Sequence, residues 1–390
     1  MIFGVLEEQH GAGLRTERAV DLHFMQLALA LGRRSLGASA PNPAVGAVIV
    51  KDGVIVGRGW TQPGGRPHAE AEALRRAVEA ARGATLYVTL EPCSHVGKTP
   101  PCADAVIAAG ITRVVSAIED PTPEVSGQGH ARLRAAGVSV EVGLCAAEAA
   151  HHHAGHFRRV RDRRPHIILK LALSSDGKIA AAGGVPVAIT GEAARARAHL
   201  LRAQCSAILV GIGTVLADDP LLTCRLPGME KRSPLRVVLD HALRIPESSR
   251  LVQSARETPL WVMTSEVAEA SRAMKLGAAG VRVMRVPVAT GATGLDLVAV
   301  LRALSESGVT RLVVEGGARV ASSFVTAALV DEAWLLRGPD PIGDDGVSAL
   351  GALPLTAITG SPRFRMRASE TLDQDALAIY ERVQSMNRSS

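Results

Sequence analysis

A chain of 390 residues is too long for one ordinary core and suits two, since domains usually hold ~100 to 200 residues. Hydrophobic residues at 47% against 21% charged exclude a mostly disordered chain, because that balance supplies full cores. The net charge of +6 rests on 38 Arg and only 6 Lys, scattered along the sequence. That reads first as compositional bias and second as a phosphate-handling surface, and charge alone does not choose among nucleic acid, anionic membrane and phosphorylated small molecule.

Residues 1–20 read as a leader, in which Glu7 and Glu8 interrupt the order of a signal peptide. Asp21 to Leu36 carries Leu22, Met25, Leu29 and Leu36 on a helical period, with Asp21 as the predicted N-cap. Pro41-Asn42-Pro43 breaks the helix, and VGAVIVKDGVIVGRG predicts a hairpin around Asp52-Gly53. A helix from His68 to about Arg82, the strand ATLYVTL and a Pro-rich loop to Cys102 follow, then helix, strand RVVSAI, helix and strand VSVEV. Residues 21–150 thus form an alternating α/β domain.

Residues 151–164 read as a linker helix rich in Ala, His and Arg. His152 and His156 stand at i, i+4 beside His151 and His153, a spacing that could bind metal. No carboxylate or Cys accompanies them, so they read as ordinary residues of an exposed helix. A second α/β domain, 165–390, opens with HIILKLALS and continues through SAILVG, LRVVLD, PLWVMT, VRVMRV and RLVVEGG to two late strand-like stretches. No apolar run reaches the ~20 residues of a membrane span. Five Cys without scaffold spacing point to a reducing compartment, and to metal before disulfide. A cytoplasmic protein is expected.

His68-Ala69-Glu70, then Pro92-Cys93, then Cys102 follow the order of the zinc nucleobase and nucleoside deaminases. One His and two thiolates give three protein ligands, leaving the fourth tetrahedral position for water. A catalytic zinc lowers the pKa of that water to about 7. Glu70, two residues after the ligand His68, is the candidate general acid-base that moves protons from water to ring nitrogen and departing ammonia. One zinc per chain is expected.

PNPAVGAVIVKDG, PHAEAEAL and YVTLEPCSHVGKTPPC resemble the deaminase half of the bifunctional riboflavin-biosynthesis deaminase-reductases. Eight residues separate Cys93 from Cys102, where polynucleotide deaminases usually carry two. The resemblance implies a cytidine-deaminase-like three-layer fold with Asn42, His95, Lys98 and Asp120 as substrate contacts. Their chemistry agrees, since Lys98 offers a point charge to phosphate, Asn42 an amide for a pyrimidine edge and His95 a donor beside the metal.

KLALSSDGKIA, LRAQCSAILVGIGTVLADDPLLTCR and LVVEGGARVASSF resemble the reductase half of the same family, which implies a dihydrofolate-reductase-like α/β fold. Glu315-Gly316-Gly317 ends a strand and opens a helix, a geometry that suits a cofactor pyrophosphate. Gly211-Ile212-Gly213-Thr214 fails the Rossmann fingerprint because Leu216 stands at the last glycine position. By resemblance, Ala172, Thr214, Asp218, Gly317, Ala318, Arg319, Val320, Ala321, Ser322 and Ser323 line an NADPH site. Arg202, Leu222, Arg225 and Glu315 hold substrate, the two Arg suiting a ribose phosphate. Lys170, Asp218 and Glu315 are open candidates for proton supply. Relatives carry Ser and Trp where this chain has Pro186 and Ala188, so the substrate-facing aromatic is absent at Ala188. The stretch from Arg337 also departs from the family ending.

The expected enzyme deaminates a phosphorylated diaminopyrimidine and then reduces its ribosyl chain with NADPH. It acts on small molecules, not nucleic acid or membrane, as a homo-oligomer (dimer or tetramer). Three rivals are a nucleic-acid editor, disfavoured by the long Cys loop and the second domain, a structural zinc protein, which needs a fourth protein ligand, and a monofunctional deaminase with a non-catalytic reductase-like domain.

Overall fold

The computed structural model describes residues 2–95, 100–289 and 294–383, with side chains described from residue 17 onward. It divides into two compact units, Met1–Asp162 and Arg163–Ser390. Among the described residues no helix is long and apolar enough to cross a membrane.

The first unit begins with α1 (Ile2–Arg33), followed by β1 (Gly46–Lys51) and β2 (Val54–Trp60). Asp52 and Gly53 both take positive φ, 51° and 76°, as a tight hairpin turn requires. Then come α2 (Ala69–Ala77), β3 (Thr85–Val88), α3 (Cys102–Ala108), β4 (Arg113–Ser116), α4 (Gln128–Ala135), β5 (Ser139–Val142), α5 (Ala146–His152) and α6 (Ala154–Asp162). The sheet order is β2-β1-β3-β4-β5.

Alternation along the strands separates two cores, as a period of two dictates. Ala47, Ile49, Leu86 and Val88 join Ala69, Ala73, Ala103, Val106 and Leu133 on one face. Val48, Val50 and Tyr87 join Phe24, Met25, Ala28, Leu29 and Ala149 on the other. The result is a three-layer sandwich. A side chain at Gly57 or Gly59 would collide with the backbone of α2, so these glycines let α2 lie directly on β2.

Two expectations are corrected here. Asp21 caps nothing, because α1 runs through it. Its carboxylate accepts from Tyr87 at 2.6 Å and from both Arg113 Nη atoms at 2.8 and 2.6 Å. The histidines are not exposed helix residues either: His152 and His153 are buried, on a segment split between α5 and α6. His152 Nε2 bonds Ala44 O at 2.6 Å and His153 Nε2 bonds Thr89 O at 3.1 Å. Burial pushes the His153 pKa well below the ordinary value, keeping that ring neutral.

The second unit runs β6 (His166–Leu173), β7 (Lys178–Ala180), α7 (Glu192–Ala203), β8 (Ala207–Gly211), α8 (Ile212–Asp218), β9 (Leu235–Leu239), α9 (Arg250–Gln253), β10 (Leu260–Ser265), α10 (Ala270–Ala278) and β11 (Arg282–Val286). It continues through α11 (Leu297–Glu306), β12 (Arg311–Val314), α12 (Ala318–Thr326), β13 (Glu332–Arg337), β14 (Val347–Ser348), α13 (Thr356–Thr359), β15 (Phe364–Leu372) and β16 (Asp375–Arg382). A nine-stranded sheet has the order β11-β10-β9-β8-β12-β6-β13-β16-β15, beside a small β14-β7 pair. Strands from β11 to β13 run parallel and β16 and β15 add antiparallel. α11 and α12 cover one face and α7, α9 and α10 the other.

The stretch after Arg337 has a definite role in this unit. Asp176, from the turn after β6, accepts Ile342 N at 3.2 Å and Gly343 N at 2.8 Å, while Arg337 Nη1 donates to Ser175 O at 2.9 Å. The divergent loop is thus fastened to the end of β6, and the chain then returns to build the β15-β16 edge.

Candidate active sites

In the first unit, His68 stands at the N-cap of α2 in extended conformation, without a side-chain capping bond. Its ring is therefore free to face the loop after β3. The ligand atoms of His68, Cys93 and Cys102 all lie within 4.8 Å of one another. His68 Nδ1 is 3.3 Å from Cys102 Sγ and 3.8 Å from Cys93 Sγ. Cys102 opens α3, and its backbone N–H donates to Cys93 Sγ at 3.3 Å.

That crowding splits the two thiols. The Cys102 hydrogen bond, then His68, hold the Cys93 pKa down at about 4 against burial, while Cys102 is raised by Cys93 and by burial. A thiolate beside an imidazole nitrogen and a second sulfur is the donor set of a zinc site with three protein ligands. Glu70, in the first turn of α2, is 3% exposed, and burial raises its pKa to about 7.

Asn42 Nδ2 lies 3.3 Å from His68 Nε2 and donates to Gly65 O at 3.0 Å. His95 is exposed at the described edge of the Cys loop, and Lys98 lies outside the described residues. Asp120 is buried and engaged, with His156 Nε2 at 3.0 and 3.1 Å from its two oxygens and Thr122 N at 2.8 Å. His156 is thus the partner of a predicted site residue.

Glu91, just before Pro92-Cys93, received no role from the sequence. Its buried carboxylate accepts backbone N–H groups from Asp120 at 3.2 Å, Gly127 at 3.0 Å and His130 at 3.2 Å. It ties the root of the cysteine loop to the loop carrying Asp120. Glu91, Glu119 and His130 also cluster closely enough for a metal, but three backbone donors already occupy the Glu91 oxygens. The only local signal was the acidic residue of the motif itself.

In the second unit, Glu315 at the end of β12 is gripped by Arg202 of α7, which donates through Nε at 2.8 Å and Nη2 at 2.9 Å. Lys170 Nζ stands 3.6 Å from the same carboxylate. Burial alone would raise the Glu315 pKa, yet Arg202 and Lys170 outweigh it and hold it at about 2. Arg202 Nη1 also donates to Thr223 O at 3.1 Å, so much of its fork serves the protein. Arg225 is exposed, and its pKa is lowered by partial burial and then by Arg202 and Arg250. Leu222 is buried, with φ 56°.

Gly317 is the N-cap of α12. A Cβ there would meet only Thr214 Oγ1, at 3.9 Å, whereas a Cβ on Gly316 would lie 2.6 Å from Val320 Cβ. The expected cofactor stretch therefore divides: Val320 and Ala321 pack inward, while Ala318, Arg319, Ser322 and Ser323 reach the surface in part or fully. Asp218 ends α8 and is exposed, Ala172 lies on β6, and Pro186 and Ala188 are exposed in the stretch between β7 and α7.

Residues 165–378 match the RibD C-terminal domain, and residues 18–118 match the zinc-binding region of cytidine and deoxycytidylate deaminases. The riboflavin biosynthesis protein RibD of Aquifex aeolicus is 42% identical over 365 residues, covering 94% of this chain and 99% of that protein. That of Escherichia coli strain K12 is 43% identical over 359 residues, covering 89% and 95%. The structure of Acinetobacter baumannii RibD aligns with a TM-score of 0.83 at 35% identity, covering 94% of this chain and all 100% of that one. The Thermotoga maritima diaminohydroxyphosphoribosylaminopyrimidine deaminase/5-amino-6-(5-phosphoribosylamino)uracil reductase aligns at 0.81 and 33%, with the same coverage. The two matched domains imply zinc and a nicotinamide cofactor. This chain belongs to the RibD family of bifunctional riboflavin-biosynthesis enzymes, with a hydrolytic deaminase domain followed by a reductase domain.

Proposed function

We propose that the first unit deaminates 2,5-diamino-6-(5-phosphoribosylamino)pyrimidin-4-one, and that the second reduces the ribosyl chain of the resulting 5-amino-6-(5-phosphoribosylamino)uracil to ribityl with NADPH. The observation that carries this reading is the convergence of His68, Cys93 and Cys102 beside buried Glu70. His68 Nδ1 and the two sulfurs would hold one zinc, which supplies the Lewis acidity that activates water. Glu70 takes a proton from the attacking water on its carboxylate and delivers it to the ring nitrogen, then takes the proton of the newly added hydroxyl and delivers it to the departing amine. A carboxylate raised to about 7 by burial is matched to taking and giving protons near neutral pH. Asn42, held by its bond to Gly65 O beside the His68 ring, can present its amide to the pyrimidine edge. The free cysteines suit a reducing cytoplasm.

In the second unit, NADPH would supply hydride, with its pyrophosphate at the start of α12 by Gly317 and Thr214. Arg225, exposed and beside two further Arg, is the better candidate for the substrate phosphate, since Arg202 is committed to Glu315. Of Lys170, Asp218 and Glu315, Glu315 is least suited to give a proton, because its neighbours hold it ionised.

Glu70→Gln tests the deaminase assignment. It should keep zinc and lose ~10²- to 10⁴-fold in deamination, while reduction of pre-deaminated substrate continues. Deamination within a few-fold of the unaltered enzyme would remove Glu70 from the role.

A further inference from the structure

We propose that His199, on α7, is the positioning residue that holds the loop 219–225 of the reductase unit and so sets, through Arg225, its preference for a phosphorylated substrate. This rests on Arg225 as the phosphate ligand. The loop is strained at two side-chain-bearing residues, Asp219 with φ 37° and Leu222 with φ 56°. Such conformations persist only where surrounding contacts over-determine them. Arg236 Nη1 donates to Leu221 O at 3.4 Å, Arg202 Nη1 to Thr223 O at 3.1 Å, and Cys224 N donates to Ser233 Oγ at 3.1 Å.

The last anchor falls on the phosphate residue itself, whose backbone N–H donates to His199 Nδ1 at 3.3 Å. To accept that bond, Nδ1 must carry no proton. Burial, Arg202 and Arg225 hold the His199 pKa at about 4, so the ring stays a neutral acceptor at working pH.

Neutrality is the point of using an imidazole here. A carboxylate in its place could accept the same N–H, but its charge would pair with the Arg225 guanidinium and compete with phosphate. His199 fixes the backbone of Arg225 and leaves its cation available. Asparagine can repeat this, because its Oδ1 falls where Nδ1 stands and is also neutral.

The test compares reductase kinetics of the full chain carrying His199→Leu, His199→Asn and His199→Asp. The substrates are the phosphorylated aminouracil and its dephosphorylated counterpart, with NADPH titration reporting an intact second unit. His199→Leu should raise KM for the phosphorylated substrate about tenfold, with kcat within about twofold and little change for the dephosphorylated one. His199→Asn should keep the phosphate preference and His199→Asp should lose it. Equal shifts for both substrates, or Asn and Asp variants that behave alike, would overturn the proposal, and that last comparison stands even if the Leu variant does not fold. Arg225→Ala separates the two levels. If it retains the preference, the phosphate reading falls and the proposal with it, whereas its loss there but not in His199→Asp overturns His199 alone.

Discussion

Arg202 meets Glu315 with two parallel hydrogen bonds, 2.8 Å from Nε and 2.9 Å from Nη2, and both side chains are at least 86% buried. Removing one partner of a buried pair typically costs about 3 to 5 kcal/mol, and Lys170, at 3.6 Å from Glu315, would compensate the remaining carboxylate only in part. Arg202→Ala should therefore lower the unfolding midpoint of the second unit, measured by denaturant titration. Loss of reductase activity with unchanged stability would instead assign Arg202 to the substrate alone.

The same pair carries a pH signature. The folded Glu315 pKa lies near 2, below the ordinary 4.5, so its contribution is fully present above about pH 4.5 and is lost as pH falls toward 2. The stability gap between the unaltered protein and Glu315→Gln should shrink across that window.

Gly316 and Gly317 should part company. An added Cβ at Gly316 would strike Val320 at 2.6 Å, and overpacking of this kind costs about 1 to 3 kcal/mol. Gly317→Ala should fold normally, since its Cβ meets only Thr214 Oγ1 at 3.9 Å, yet weaken NADPH binding. Gly317→Val should weaken it further. Calorimetry and cofactor titration read the two effects separately, and ordinary NADPH affinity in Gly317→Val would contradict the placement of the pyrophosphate.

Cys93→Ala should lose zinc, because it leaves only His68 and Cys102. Metal analysis of the purified variant checks this. Stoichiometric zinc in the variant would show that the ligand set lies elsewhere.

Much of the candidate deaminase centre is legible in the sequence because residue type and order mark it: His68 and Glu70 at a helix start, and Cys93 and Cys102 bracketing a loop, with the donor atoms of His68, Cys93 and Cys102 brought together in the fold. What escapes are roles that depend on distant partners. Asp21 has the local look of a cap, but its carboxylate is used by Arg113 and Tyr87 across the sheet. Glu91 works on backbone amides 29 to 39 residues on, which no spacing reveals. The histidines at 152, 153 and 156 look like surface residues because their composition is polar, while their acceptors, Ala44 O, Thr89 O and Asp120, lie far away in sequence. In the reductase unit the strands are evident, but the split of α12 into an inward and an outward side depends on how closely Gly211 and Gly316 approach Val320.

The most direct test of the bifunctional account incubates the full chain with the diaminopyrimidine phosphate, with and without NADPH, and follows ammonia release and NADPH oxidation together. The account predicts ammonia and the aminouracil without NADPH, and NADPH oxidised mole for mole with ammonia when both are present. Ammonia release with no NADPH consumed would contradict the reductase half, and NADPH consumed without ammonia would contradict the order of the two steps.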